Sequence, residues 1–209
     1  MVADRQTAGR GRLGRAWGDG HGNFMGSTVV HLTAGDPSPA GLSLVAGVAL
    51  AKAVGTLAPG VDAKLKWPND LLIEGVKCTG ILLERVGDSI VIGMGVNLVS
   101  SPDLPDRPTV CFADKGVTID RDRFAEVLAV ALTDALWTWR QGGIDQIVAA
   151  WTTHAHPIGT PLRVSEQGID GTFDGLAPDG AMRLRRASGE IMLIHAGDVE
   201  LQRPVSGRN

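Results

Sequence analysis

The sequence holds two cysteines, Cys78 and Cys111, well separated in the chain. That is too few for a disulfide scaffold and offers no zinc-ligand spacing, so both are expected to be ordinary buried thiols. No run reaches the roughly eighteen consecutive apolar residues of a membrane span, and the charged start lacks the apolar core of a signal peptide. A soluble, cytoplasmic protein that engages no membrane is therefore expected. A basic excess is missing too: 20 Lys and Arg stand against 23 Asp and Glu, for a net charge of -3. This argues against a general nucleic-acid binder. Tyrosine is absent, and no internal repeat or long low-complexity tract is visible. Glycine, with 28 residues, and proline, with 11, are conspicuous. At 44% hydrophobic and 21% charged residues, the 209-residue chain has ordinary globular usage, enough for one large domain or a main domain with a small appendage.

The first 23 residues show little apolar periodicity and read largely as a glycine- and arginine-rich loop. Gly26 to Leu32 is the first clear strand. Ser38-Pro39 reads as an N-cap followed by proline in the first turn of a helix running to about Leu57, with Leu42, Val45, Val48, Ala49 and Val54 as its buried stripe. Four extended runs follow, Ala63 to Trp67, Leu71 to Ile73, Lys77 to Val86 and Ser89 to Leu98. Turn dipeptides at Glu74-Gly75 and Gly87-Asp88 point to an antiparallel meander. Ser100 to Thr118 reads as an irregular connection. Asp120 or Asp122 caps a strong helix with Phe124, Val127, Leu128, Ala131, Leu132, Ala135, Leu136 and Trp139 on one face, and a shorter helix from about Asp145 to Thr153 buries Ile147, Val148 and Trp151. Beyond His156-Pro157 come five short strands separated by turns, the pattern of a small SH3-type barrel, with a boundary near Gly159.

Three constellations carry chemistry. In QTAGRGRLGRAW, from Gln6 to Trp17, glycines let the backbone wrap a ligand, and Arg10, Arg12 and Arg15 offer forked donors to carboxylate or phosphate oxygens. Trp17 can cover a flat ring. It is not a Walker phosphate loop, because no Gly-Lys-Ser/Thr follows, and taken alone it is ambiguous, an arm that touches RNA without specificity being the lesser alternative. The second constellation is KWPND, from Lys66 to Asp70, followed by Lys77 and Gly80. The Trp67-Pro68 step is expected to hold the chain extended, Asn69 offers an amide able to pair with a base edge, and Lys77 is the catalytic candidate. The third is GMGVN, ending at Asn97, whose side chain could face the same pocket. His154 and His156 precede Pro157 without further ligands, so no metal site is expected there.

Together, in this order and at these separations, the Gly9 to Arg15 loop, the Lys66 to Asp70 run, Lys77 with Gly80, Gly95 to Asn97 and the terminal small β unit closely resemble the biotin protein ligases (biotin:acetyl-CoA-carboxylase ligases). The resemblance implies an α+β fold related to class II aminoacyl-tRNA synthetases. It would have a mixed, largely antiparallel sheet with flanking helices, residues 1–158, followed by an SH3-like domain, residues 159–209. It implies joining of biotin to ATP, with Mg²⁺ on the phosphates, to give biotinyl-5′-AMP and pyrophosphate. Biotin would then pass to a lysine of the biotin carboxyl carrier domain of an acyl-CoA carboxylase. Carried over residue by residue, Gln6, Gly9, Arg10, Arg12, Lys77 and Gly80 would line the biotin side. Arg12, Arg15, Trp17, Asn69, Lys77 and Asn97 would hold ATP, with Arg12 and Lys77 doing the chemistry.

Family members carry a strand and helix ahead of the loop, including a Ser/Thr-Asn motif that contacts biotin. Only five residues precede Gln6, so a catalytic domain short at its N-terminus is expected. No helix-turn-helix region is present, so no DNA-binding repressor role is expected, and a monomer or homodimer fits equally. The alternatives are a lipoate-protein ligase, whose loop is a poorer fit, and a catalytically impaired nucleotide- or RNA-binding remnant.

Overall fold

The structure, a computed structural model, describes residues 1–18, 20–104 and 107–202. Residues 203–209 of the anticipated terminal domain, and Pro105 and Asp106 of the anticipated irregular connection, lie outside the described residues. Three antiparallel sheets and two helices make up the frame.

The first sheet has the order β1-β6-β5 and comprises β1 (Phe24–His31), β5 (Thr79–Val86) and β6 (Ser89–Val96). The β5–β6 hairpin closes on Gly87-Asp88, with Val86 opposite Ser89 and Gly87 at φ 59°, as a two-residue turn starting with glycine requires. β1 runs beside β6 from Phe24 opposite Val96 to His31 opposite Ser89. At its outer edge the chain start adds a short antiparallel contact, Val2 opposite Gly26, with the amide of Ala3 donating to the carbonyl of Met25 at 2.9 Å.

The expected single meander is in fact divided between two sheets. β2 (Ala63–Lys66), β3 (Asp70–Ile73) and β4 (Val76–Lys77) form a sheet of their own. The cause lies at Cys78. Lys77 pairs with Leu72, Thr79 pairs with Val96, and the fully buried Cys78 between them donates its amide to Leu71 while accepting at its carbonyl from Asn97. A single residue thus carries the chain from one sheet to the next. The Glu74-Gly75 turn holds, with φ of 50° and 78°, the positive pair that a tight hairpin of this kind needs. The Trp67-Pro68 step departs from the expected extended form: its peptide is cis, within a turn that sets Lys66 opposite Asp70.

α1 (Leu42–Leu57) begins later than the sequence indicates. Pro39–Gly41 is a short 3-10 turn, and the Ser38 side chain makes no capping hydrogen bond. The expected stripe is buried, but so are Leu44, Ala46, Gly47, Leu50, Ala51 and Ala53, because the helix is wrapped on nearly all sides. Pro39–Leu57 is, among the described residues, long and apolar enough by composition to cross a membrane, yet 67% of it is buried inside the fold, as befits a core helix. α2 (Arg121–Thr153) is one element where two helices are expected. It is broken at Gly143 (φ 74°), so the second expected helix is its far half. Asp120 is the cap, its carboxylate accepting from the amide of Arg123 at 2.8 Å. Phe124, Leu128, Ala131, Leu132, Ala135 and Trp139 are buried on one face, and the ring of Phe124 meets that of Phe24 on β1 at 5.2 Å.

The five short terminal strands are β7 (Pro161–Val164), β8 (Ile169–Leu176), β9 (Met182–Arg185), β10 (Ile191–Ile194) and β11 (Val199–Leu201), in the order β10-β9-β8-β7-β11. The architecture is thus the expected α+β arrangement with a small β unit at its end. That unit is not isolated. Leu162, Val164, Phe173, Met182 and Leu184 belong to the same apolar core as α1 and α2, joined through the rings of Trp151 and Phe173, 6.3 Å apart.

Candidate active site

Strand register builds the first part of the site. Lys66 and Asp70 are opposed across β2 and β3, and Lys77 on β4 is opposite Leu72, two residues along from Asp70 and on the same face. Asp70 is therefore flanked by two ammonium groups: Lys66 Nζ lies 2.9 Å from Oδ2 and Lys77 Nζ 2.6 Å from Oδ1. The carboxylate is only 5% exposed. Burial would raise its pKa, but the charges of Lys66 and then Lys77 outweigh that, and it stays below the ordinary carboxylate value. Lys66 also donates to the carbonyl of Val199 on β11 at 2.7 Å. The connecting turn is pinned by Ser43, whose hydroxyl donates to the carbonyl of Pro68, and by Trp67, whose indole N–H donates to that of Gly180. Asn69 is tied to β5, its Nδ2 donating to the carbonyl of Ile81 at 2.8 Å while its own carbonyl accepts from the Ile81 amide.

The Gly-Arg loop folds over this turn. Its backbone is a small hairpin: the amide of Gly11 donates to Arg15 at 2.7 Å, that of Trp17 donates to Gly9 at 2.9 Å, and the tip turns at Leu13 (φ 57°) and Gly14 (φ 71°). Arg12 reaches Asn69 Oδ1 at 3.3 Å, the carbonyl of Gly197 at 3.3 Å and the carboxylate of Asp198 at 3.2 Å. Arg15 meets the other oxygen of Asp198 at 2.5 Å. Trp17 lies on the cross-strand pair Gly80 and Gly95. A Cβ added at Gly80 would stand 2.9 Å from the indole, and one at Gly95 2.5 Å from its Nε1, so only bare backbone admits the ring. Gln6 packs against Gly9 at the base of the hairpin.

Cations, an amide and an aromatic face thus converge on a side-chain-free strip of sheet, a setting for an anionic group joined to flat rings. The profile of the Biotin/lipoate A/B protein ligase family matches residues 1–97. The biotin--[acetyl-CoA-carboxylase] ligase of Paracoccus denitrificans is 37% identical over 216 residues, covering 95% of this chain and 88% of that one. This chain belongs to the biotin protein ligase family. The bifunctional ligase/repressor BirA of Bacillus subtilis is 33% identical over 96% of this chain, which spans only 65% of that relative's length. Among solved structures, the biotin protein ligase of Aquifex aeolicus in complex with biotin and ATP superposes with a TM-score of 0.85 at 26% identity, covering 97% of this chain and 88% of that one.

Of the ligase residues expected from the sequence, Arg12, Asn69 and Lys77 gather around the turn, Arg15 joins them through Asp198, and Trp17, Gly80, Gly9 and Gln6 lie side by side. Two stand apart. Arg10 is exposed and faces Glu84 at 3.9 Å, consistent with loop closure more than with chemistry. Asn97 is 3% exposed and donates its Nδ2 to the carbonyl of Val110 at 3.3 Å, which ties the following connection to β6. Four residues were not in the expected set. Lys66 and Asp70 sit inside the KWPND run, and a carboxylate with lysines four residues before it and seven after was a usable signal. Asp198 had none. Nor did Asn23, 4% exposed, whose Oδ1 accepts from the amides of Leu98, Val99 and Ser100 and so shapes the loop after Asn97. Both cysteines are free and buried as expected, and burial pushes the Cys78 thiol up to about 12.

Proposed function

We propose that this chain joins biotin to ATP as biotinyl-5′-AMP, releasing pyrophosphate, and passes the biotinyl group to a lysine of a biotin carboxyl carrier domain with release of AMP. The observation that carries this reading is the seating of Trp17 on the Gly80–Gly95 strip, with Arg12 of the same loop bonded to Asn69 and Lys77 beside Asp70, the next residue along. The first step brings a carboxylate against the α-phosphate and builds negative charge on a crowded phosphorus, so the barrier is largely electrostatic. Arg12 and Lys77 are the cations assigned to that charge. Each is paired with a carboxylate, Asp198 or Asp70, and in the proposed reaction its charge is directed to the substrate oxygens where negative charge develops. Trp17 and the Gly-Arg hairpin then cover the adenylate and keep water from it.

The residues present do not form a magnesium cage. Among the described residues no group of three His, Cys, Asp or Glu could hold a metal, and Asp70 and Asp198 are both taken up by cations. Any Mg²⁺ is therefore assigned to the nucleotide's own phosphates, and no step is routed through it. Residues 1–158 would form the catalytic part and 159–209 the terminal domain. The two free, buried thiols suit a reducing cytoplasm.

Biotin-dependent ATP–pyrophosphate exchange and labelling of an isolated carrier domain test the reading, with lipoate as competitor. Lys77→Met is expected to lower exchange by about 10²-fold or more while the circular dichroism spectrum is kept. Exchange that needs lipoate and ignores biotin would move the assignment to the lipoate branch.

A further inference from the structure

Lys77 Nζ lies 2.6 Å from the buried carboxylate of Asp70, and in the proposed reaction the same ammonium group turns towards substrate oxygens. A buried anion stripped of its partner is strongly destabilising, enough to hold the lysine in place. We propose that Lys66 is a positioning residue for Lys77: it neutralises Asp70 on its own, so that Lys77 is the surplus cation free to move. The inference deepens the ligase reading and rests on it only for its activity arm.

Three observations support it. The charge count of the cluster is one carboxylate against two ammonium groups, so departure of Lys77 leaves a neutral Lys66–Asp70 pair. Lys66 occupies the second carboxylate oxygen, Oδ2, at 2.9 Å, so its bond does not depend on Lys77 at Oδ1. Lys66 is also the better anchored of the two, 17% exposed against 25%, with a further bond to the carbonyl of Val199 that does not involve Asp70. Through Val199 the terminal sheet takes part in aligning the catalytic lysine.

The test is a double-mutant cycle in chemical unfolding of the full chain, comparing wild type, Lys77→Met, Lys66→Met and the double variant. Lys77→Met alone is expected to change the unfolding constant by less than about tenfold. The double variant should change it by more than about a hundredfold, beyond the product of the single effects. In biotin-dependent pyrophosphate exchange, Lys66→Met should lower kcat by about tenfold or more with KM for biotin within about twofold, and Lys66→Arg should recover most of it. If Lys66→Met is too unstable to purify, adding Asp70→Asn should restore folding, because no buried charge then needs a partner. The idea is overturned by multiplicative effects in the unfolding cycle, by wild-type exchange in Lys66→Met, or by failure of Asp70→Asn to restore folding. An inactive wild type would sink the ligase reading, and the unfolding cycle would still decide the role of Lys66.

Discussion

Gly95→Ala isolates the contact on which the loop closes. The added methyl would stand 2.5 Å from Nε1 and 2.6 Å from Cζ2 of Trp17, where Cβ contacts below 3.0 Å are essentially never seen. The indole must retreat by roughly 1 Å, a misfit that costs about 1–3 kcal/mol in packed settings. Gly95 has no positive φ, and the nearest atoms to its new methyl all belong to Trp17, so the strand itself accepts alanine. The strain therefore falls on the hairpin, whose other ties to the fold include the Arg12 bonds to Asn69 and Gly197 and the pairs of Arg12 and Arg15 with Asp198. The open form should gain about 5- to 100-fold in population, while global stability changes by less than about 1 kcal/mol. Limited trypsin digestion at Arg10, Arg12 and Arg15 reads this directly, with Trp17→Ala as the positive control. Gly93→Ala is the silent one, since its methyl would meet nothing closer than 3.7 Å. Unchanged cleavage in Gly95→Ala, with faster cleavage in Trp17→Ala, would refute the idea that the glycine strip seats the ring.

Acid should weaken the fold through His156, whose Nε2 is buried without a hydrogen-bond partner and whose pKa is pushed down to about 4 by burial, then by Lys66 and Lys64. Because the folded value lies below the unfolded one of 6.5, stability is whole above pH 6.5 and is lost as the pH falls towards 4. The loss is about 2 kcal/mol once the ring's partial exposure is allowed for. His154, also lowered by burial, adds in the same direction. Urea midpoints at pH 7 and pH 4.5 should therefore fall further in the wild type than in His156→Gln, and equal falls would count against it. Asn23→Ala leaves three amides without their acceptor and should cost about 3 kcal/mol. A loss under about 1 kcal/mol in thermal unfolding would mean that water replaces the side chain.

Much of the frame was legible from local pattern. Asp120 as a cap, the Glu74-Gly75 and Gly87-Asp88 turns, the buried face of α2 and the five terminal strands follow from short-range rules that act within a few residues. The ligase motifs were legible only as a set: the Gly-Arg loop alone is ambiguous, and its company with the KWPND run, Lys77 and Asn97 narrows it. Local pattern failed where the partner was distant. The four extended runs read as one meander because nothing near Cys78 reveals that its two neighbours pair with different sheets. Ser38 looked like a cap, but its side chain makes no capping bond and a 3-10 turn, Pro39–Gly41, precedes the helix.

From the sequence alone, the order and spacing of the motifs carried a resemblance to the biotin protein ligases, and that resemblance implied the α+β fold and the ligase activity and proposed Lys77 as the catalytic lysine. Only the tertiary structure decided which carboxylates pair with the site's cations: Asp198, far along the chain from Arg12, and Asp70, shared between two lysines by strand register. The physical reason is that residue chemistry is a property of each side chain, whereas charge pairing at a few ångströms is a property of the packed chain and leaves no mark on its neighbours in sequence.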